Sequence, residues 1–277
     1  MSDSIDQVFV TEYSSDLKHA YQQGASLLRK TVFLKTGVKA STVKFPKIGK
    51  GKAVQKTRHG IIPAMNVEHS RVSATMENWY APDWVDDFDQ MMTNIDDRAA
   101  LSEAGAGACG RKVDELIFNQ MTLTDNIVDL GTTDFGLVHV QNALIKLNTK
   151  TVPNTERYAA LGSIQWEQLM GIEAFANADY VGDKKPWLQN TEAKTWRGVT
   201  WIHHTELPIT DTVRECFMWH KRAVGLGEVS DIVLKTKYEE ERDSWFVNNK
   251  MSLGGVLIDP EGVVKIQCKD TGSLPAA

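Results

Sequence analysis

With 277 residues, 42% of them hydrophobic and 24% charged, the chain carries enough apolar material for one large or two small cores. A net charge of −5 excludes a general polyanion binder, no run of eighteen apolar residues marks a membrane-spanning helix, and the N-terminus MSDSIDQVFVTEY lacks the basic and apolar parts of a signal peptide. Cys109, Cys216 and Cys268 are widely separated and have no metal spacing, so buried, reduced thiols in a cytoplasmic protein are expected.

Residues 1–40 read as an arm too short to fold alone. Within it SSDLKHAYQQGASLLRK has helical character, with Leu17, Tyr21, Leu27 and Leu28 as its apolar residues and Ser14 or Ser15 as cap. From Ser41 the pattern becomes extended. TVKFPKI and RVSATMENW predict a long two-stranded ribbon, joined by the turn-rich basic stretch GKGKAVQKTRHGIIPAMN. A lone ribbon is marginally stable in water, so this one must lean on a neighbouring surface.

Charge changes sign along this part of the chain. Between Ser14 and Val67 the only acid is Asp16, against eleven lysines and arginines, whereas Glu77 to Glu103 has Arg98 as its only base among many carboxylates. A basic segment followed by an acidic one can fold back on itself or join two copies of the same chain.

APDWVDDFDQMM leads into NIDDRAALSEAGAGACGRKVDELIFNQM, which reads as one long spine helix over 94–121. Asn94 or Thr93 can cap it, Asp96 and Asp97 lie in its first turn, and Cys109, Val113, Ile117 and Met121 form its apolar stripe. Each glycine of its GAGACG centre costs about 1 kcal/mol relative to alanine in a free helix, so another backbone is expected to pack closely there. After the spine, Asp134 is expected to cap a helix carrying Leu137, Val140, Leu144 and Leu147, RYAALGS reads as a strand, and Ser163 caps a helix carrying Trp166 and Leu169. WRGVTWIHH and ECFMWHKR read as single strands separated by LPITDT. The last part reads as long strands with a type I turn at Asp259-Pro260-Glu261-Gly262, and TGSLPAA as a frayed tail. The class is α+β.

Motifs for chemistry are sparse. Gly105 to Gly110 satisfy G-x-G-x-x-G, but that fingerprint needs a buried strand immediately before it, and IDDRAALSEA has no strand character. A close helix contact is the favoured reading. His203 and His204 are neighbours on a predicted strand, so they face opposite sides and cannot hold one ion together. Asp83, Asp86, Asp87 and Asp89 have the composition of a Mg²⁺ site, yet an acidic patch meeting positive protein surface accounts for them with charge complementarity alone. Trp166, Trp201 and Trp219 read as core, and Trp79 and Trp84 as packing at the ribbon's base. No catalytic residue, cofactor or metal ligand is assigned, and the chain is not expected to be an enzyme.

Taken in order, the arm, basic ribbon, acidic connection, spine helix, compact block and closing strands resemble the major capsid proteins of tailed bacteriophages, which have the Hong Kong 97-type fold. The pieces that carry the likeness are KTRHGIIPAMNVEHSRV, WVDDFD, ACGRKVDELI, HKRAVGLG and SLGGVLIDPEGVVKI. The resemblance implies an N-terminal arm at 1–40, an extension loop at 41–82, and a peripheral domain with the spine helix at 83–130. It further implies an axial domain at 131–228 and closing strands of the peripheral domain, with a tail, at 229–277. It also implies hexamers and pentamers tiling an icosahedral head around double-stranded DNA, assembled in the host bacterial cytoplasm. The implied partners are a separate scaffolding protein, a portal and a decoration protein.

In that family the extension loop reaches over an adjacent subunit. Lys47, Lys50, Lys52, Lys56 and Arg58 of one copy are therefore expected to meet Asp86, Asp87 and Asp89 of the next. Three rival readings remain at this stage: a bacterial nanocompartment shell of the same fold, a nucleotide-dependent enzyme using Gly105, Gly107 and Gly110, and a DNA-binding module using the ribbon.

Overall fold

A computed structural model describes residues 25–87, 97–129, 131, 133–172, 175 and 193–271. The caps expected at Ser14 or Ser15 and at Thr93 or Asn94, the tail from residue 272 on, and Asp89 all lie outside the described residues. The chain divides into two compact units. One comprises 1–26, 78–111 and 231–251, the other 27–77, 112–230 and 252–277.

The spine is a single helix, α1 (Asp97–Met121), about 37 Å long at about 1.5 Å per residue. Cys109, Val113, Ile117, Phe118 and Met121 are buried along it. Its glycines are used for close approach. A Cβ on Gly110 would lie 2.9 Å from the Ala25 carbonyl carbon and the Ser26 nitrogen, so a second backbone does pack against the helix at this point. At Gly105 the neighbour is the Asn249 side chain, whose amide donates to the Ser102 carbonyl at 3.0 Å. The G-x-G-x-x-G residues are helix interior, with their amides committed to the helix, and they form no phosphate loop.

One turn beyond Gly110, Asp114 is fully buried and accepts the N–H groups of Leu27 (3.1 Å) and Leu28 (3.2 Å) and a bond from His204 Nε2 (3.0 Å). His204 Nδ1 accepts the Glu206 N–H at 3.1 Å, which leaves the ring proton on Nε2. The helix expected to run through Leu27 and Leu28 is absent there, because Asp114 holds the amides that would bond back along it. The chain continues through a 3₁₀ turn, Arg29–Thr31, into β1 (Phe33–Lys35).

The ribbon forms as β2 (Thr42–Ile48) against β3 (His69–Thr75), antiparallel, with Val43 opposite Ala74 and Phe45 opposite Val72. Val43, Phe45 and Ala74 are buried with Ile258, flanked by Val38, Met76 and Val256, so the ribbon's base is seated on its own chain. After β4 (Glu77–Asp86), a short β5 (Ile127–Asp129) follows the spine. In β11 (Val224–Glu239), Gly225 and Gly227 leave the space that the Phe45 ring and the Val43 methyl fill. Lys47 Nζ adds a 3.0 Å bond to Asp259, and Lys50 Nζ bonds both Glu261 (3.1 Å) and the Lys150 carbonyl (3.0 Å). Lys150 Nζ also reaches Glu261, at 3.1 Å.

The second unit holds a mixed sheet in the order β5-β13-β10-β6-β8-β7, with β9 (Ile209–Thr210) on β10. Its strands include β6 (Arg157–Leu161), β10 (Val213–His220) and β13 (Val263–Lys269). WRGVTWIHH is a hairpin, not one strand: β7 (Ala193–Trp196) and β8 (Val199–His203) pair across Arg197 (φ 53°) and Gly198 (φ 75°), the positive-φ pair of a tight two-residue turn. Helix α2 (Leu137–Thr149) buries His139, Val140, Ala143 and Leu147 and packs on β13 and β5. Gly136, not Asp134, is its N-cap, and the Gly136 N–H bonds His139 Nδ1 at 3.2 Å. Gly162, not Ser163, precedes α3 (Ser163–Met170). In both cases the residue at the cap position is a glycine in extended backbone, with no side chain to bond the first turn. The Asp259–Gly262 turn forms, with the Gly262 N–H bonded to the Asp259 carbonyl at 3.1 Å, and it joins β12 (Ser244–Leu257) to β13.

Three outcomes follow from these contacts. Gly110→Ala should lower the unfolding free energy of the unassembled subunit in urea by about 1–3 kcal/mol, the opposite sign to the gain of about 1 kcal/mol expected in an open helix. Asp114→Ala, which strands two amides and a histidine, should cost about 3–5 kcal/mol and expose residues 25–32 to proteolysis, with Asp114→Asn milder. The third concerns the Lys50–Glu261–Lys150 clamp. Hydrogen bonds from Lys50 and then Lys150 lower the Glu261 pKa, so its contribution is present above the ordinary carboxylate value of about 4.3. It should disappear only as pH falls through the lower folded value, read as faster hydrogen exchange in β2.

Candidate functional site

Groups with catalytic potential are committed to the fold. His203 Nε2 lies 3.0 Å from Ser163 Oγ, and its pKa is lowered by burial first and then by His204, against an opposing pull from Glu167. His204 is held in the core with Asp114. Cys109, Cys216 and Cys268 are all free and buried. Burial raises the Cys109 thiol, while a hydrogen bond with Cys216, followed by burial, raises Cys268. Raised values keep the Cys109 and Cys268 thiols protonated and unreactive. No cluster of three or more His, Cys, Asp or Glu suited to a metal occurs among the described residues. Trp166, Trp201 and Trp219 are core, and Arg29 of the arm pairs with Glu228 at 2.8 Å.

Among the described residues, two exposed patches differ in character. The first is the ribbon's tip. The last bond across the ribbon is Gly49 N–H to the Glu68 carbonyl at 2.8 Å, and beyond it the chain from 50 to 66 is almost wholly exposed. Ile61 is 95% and Ile62 74% exposed, with Val54 and Met65 also largely open. Of the five basic residues expected at an interface, Lys47 and Lys50 are taken by Asp259 and Glu261 of the same chain. Lys52, Lys56 and Arg58 make no ion pair among the described residues and sit on this tip.

The second patch surrounds the end of β4. Asp83 and Asp86 are exposed, and the Asp87 N–H donates to the Asp243 carbonyl at 3.3 Å, which brings the β11–β12 turn beside them. That turn adds Glu239, Glu240, Glu241 and Asp243, which the sequence reading missed although the run YEEERD was visible. Tyr238 registers the accumulated charge. Its phenol is pushed up to about 12 by its hydrogen bond to Asp243, then by burial and the charges of Asp243, Asp87 and Glu240. Outward from the same strand stand Tyr80, Pro82 and Trp84, with Trp84 against Phe246 (4.6 Å) and beneath the Arg242 guanidinium (4.5 Å).

Two charged, exposed surfaces, beside polar groups that the fold itself engages, are features of a building block. Similarity to known proteins gives the same direction. Residues 5–270 match the family described as phage capsid protein. The capsid of Cyanophage P-SCSP1u superposes with a TM-score of 0.76 at 13% identity, covering 98% of this chain and 96% of that one. The capsid of Ralstonia phage GP4 gives 0.73 at 11% identity and 100% of both chains, and that of Cyanophage Pam1 gives 0.72 at 12%, covering 99% and 100%. No curated protein sequence matches. At such identities the solved structures speak for the fold, and the match over nearly the whole sequence speaks for the family. The chain belongs to the phage capsid protein family, a non-enzymatic structural protein of the virion with the Hong Kong 97-type fold.

Proposed function

We propose that this is the major capsid protein of its phage, assembling as hexamers and pentamers into an icosahedral head that encloses double-stranded DNA. In this reading residues 41–82 are the extension loop. Residues 83–130 and 229–277 form the peripheral domain, and 131–228 the axial domain that gathers around the capsomer axis. Assembly takes place in the host cytoplasm with a separate scaffolding protein, a portal and a decoration protein.

The observation that carries the reading is the exposed ribbon tip. A loop with isoleucines open to water, and with cations that make no ion pair among the described residues, is poorly suited to an isolated monomer, and the chain bears an acidic patch of complementary charge. Lys52, Lys56 and Arg58 meet Asp86, Asp87 and Asp89 of the adjacent copy, while Lys47 and Lys50 hold the loop's base at the angle from which it reaches across. Each exposed pair contributes only about 0–1 kcal/mol, but the contact repeats at every interface of a closed shell.

Electron microscopy with light scattering on the purified protein, alone and with its scaffolding partner, tests the proposal. Closed shells or capsomer-sized rings are expected, and particles with the absorbance of nucleic acid separate a phage head from a nanocompartment. A monodisperse monomer or dimer under every condition refutes it. Lys52→Glu with Lys56→Glu should reduce shell yield and make it more salt-sensitive. Adding Asp86→Lys and Asp87→Lys should restore part of the yield. Unchanged yield in the first pair would mean that the charges do not meet.

A further inference from the structure

In the sheet ordered β1-β11-β12-β4, the outer strand β1 is short and covers β11 at Gly225, Leu226 and Gly227. One more bond follows, from the Val38 N–H to the Glu228 carbonyl at 3.0 Å. Beyond it β11 runs on to Glu239, and among the described residues no strand lies on that side of it. Backbone groups alternate sides along a strand, so the Glu228 bond means that Ile232, Leu234 and Thr236 also turn N–H and C=O to the open side. Val233 is 40% and Leu234 48% exposed, and no proline interrupts this stretch. Such an edge is a template for another strand.

There is also room for one. Leu234 and Thr236 border an open groove whose other wall is α1, at Arg98, Ala99, Ser102 and Ala106. The helix itself follows β12, one strand in from the edge, where Asn249 bonds the Ser102 carbonyl and the Arg98 guanidinium lies 4.7 Å over the Trp245 ring. An added strand therefore has no helix directly beneath it, and its inward side chains can enter the groove.

The edge sequence selects its own occupant. Set antiparallel to a second copy about Val233, the strand places Ile232 opposite Leu234, Val233 opposite Val233 and Asp231 opposite Lys235. Even-numbered residues then face even-numbered ones, as their outward backbone groups require. Moving the axis to Leu234 sets Val233 against Lys235, and moving it to Lys235 sets lysine against lysine, which is destabilising. Exposed lysines ordinarily guard an edge against pairing; here Asp231 of the second copy answers Lys235 in one register.

We propose that residues 231–235 of β11 pair antiparallel with the same residues of a second copy, joining the two sheets across a two-fold axis. The proposal rests on the shell reading and deepens it. Neighbours around a pentamer or hexamer ring are related by the ring's own rotation, whereas a strand paired with itself needs a two-fold. The contact therefore ties together subunits of adjacent capsomers.

Crosslinking in assembled shells tests the pairing, with little background from the three buried cysteines. Val233 should face its own copy with Cβ atoms about 4.5 Å apart, within reach of a disulfide. Val233→Cys shells should thus give disulfide-linked dimers, and nothing larger, under mild oxidation. Lys237 should lie about 26 Å from its counterpart, at about 3.3 Å per residue, so Lys237→Cys stays monomeric. Adding Lys235→Glu to Val233→Cys should cut the dimer yield several-fold at low salt, and adding Asp231→Lys as well should restore it. In the unmodified protein, the Ile232, Leu234 and Thr236 amides should exchange roughly tenfold more slowly in shells than in free capsomers. Unchanged exchange overturns the pairing whatever the variants do. So does a monomeric Val233→Cys in complete shells, or equal crosslinking of Lys237→Cys, and both leave the shell reading intact. Slowed exchange in the unmodified protein without the Val233→Cys dimer means that a different chain covers the edge, which also overturns the pairing. Failure of the unmodified protein to form shells or capsomers under any condition overturns both.

Discussion

A carboxylate buried in the middle of a long helix has to be satisfied there, and Asp114 draws its partners from far away in sequence. It takes two amides from residues 27 and 28 and an imidazole from the end of β8. Burial without these partners would be costly, so the helix cannot seat its apolar stripe unless the N-terminal segment and the β8 end arrive together. Gly110, one turn earlier, supplies the steric half of the arrangement by letting the chain at 25–26 lie directly on the helix. The stacking of Phe118 on Phe217 and against the edge of His204 then extends the apolar core around the polar knot. Leu27 and Leu28, expected to be helical, are outside any α-helix for this reason.

The ribbon follows a different logic. Two strands cannot make a core, and this pair divides the problem along its length. Near the base, Val43 and Phe45 sink into space left by Gly225 and Gly227, and two lysines clamp to the 259–261 turn. Past Gly49 the same ribbon has nothing of its own to cover it, and its side chains are those of an interface: branched aliphatics beside cations. A seated base and an exposed tip are what the proposed reach over an adjacent copy requires. At the end of β4, two segments distant in sequence, 83–87 and 239–243, pool their carboxylates.

Among the described residues, groups with catalytic potential are spent on packing: the glycine fingerprint is helix interior, Cys109 and Cys268 are held protonated, Cys216 is buried, and His204 has both ring nitrogens engaged in the core. Such groups raise no barrier to assembly and leave the exposed surface to charge and shape.

Periodicity and composition were enough to locate the spine, the two ribbon strands, the long closing strands and the proline-glycine turn, because each depends on contacts within a few residues. Local signals also gave the charge reversal and the need for a close backbone at GAGACG. They misplaced the caps at Asp134 and Ser163, where Gly136 and Gly162 stand instead, and merged the hairpin at Arg197-Gly198 into one strand. Residues Lys47 and Lys50 could not be separated from Lys52, Lys56 and Arg58 by sequence, since only the fold brings Asp259 and Glu261 beside the first two. The sequence by itself thus determined which segments are helical or extended and where charge and apolar surface accumulate, through short-range sterics and patterning. Tertiary structure alone decided which backbone Gly110 admits, which amides Asp114 holds, and which cations and isoleucines are left facing outward, because those choices depend on residues as far apart as 86 and 212 positions meeting in space.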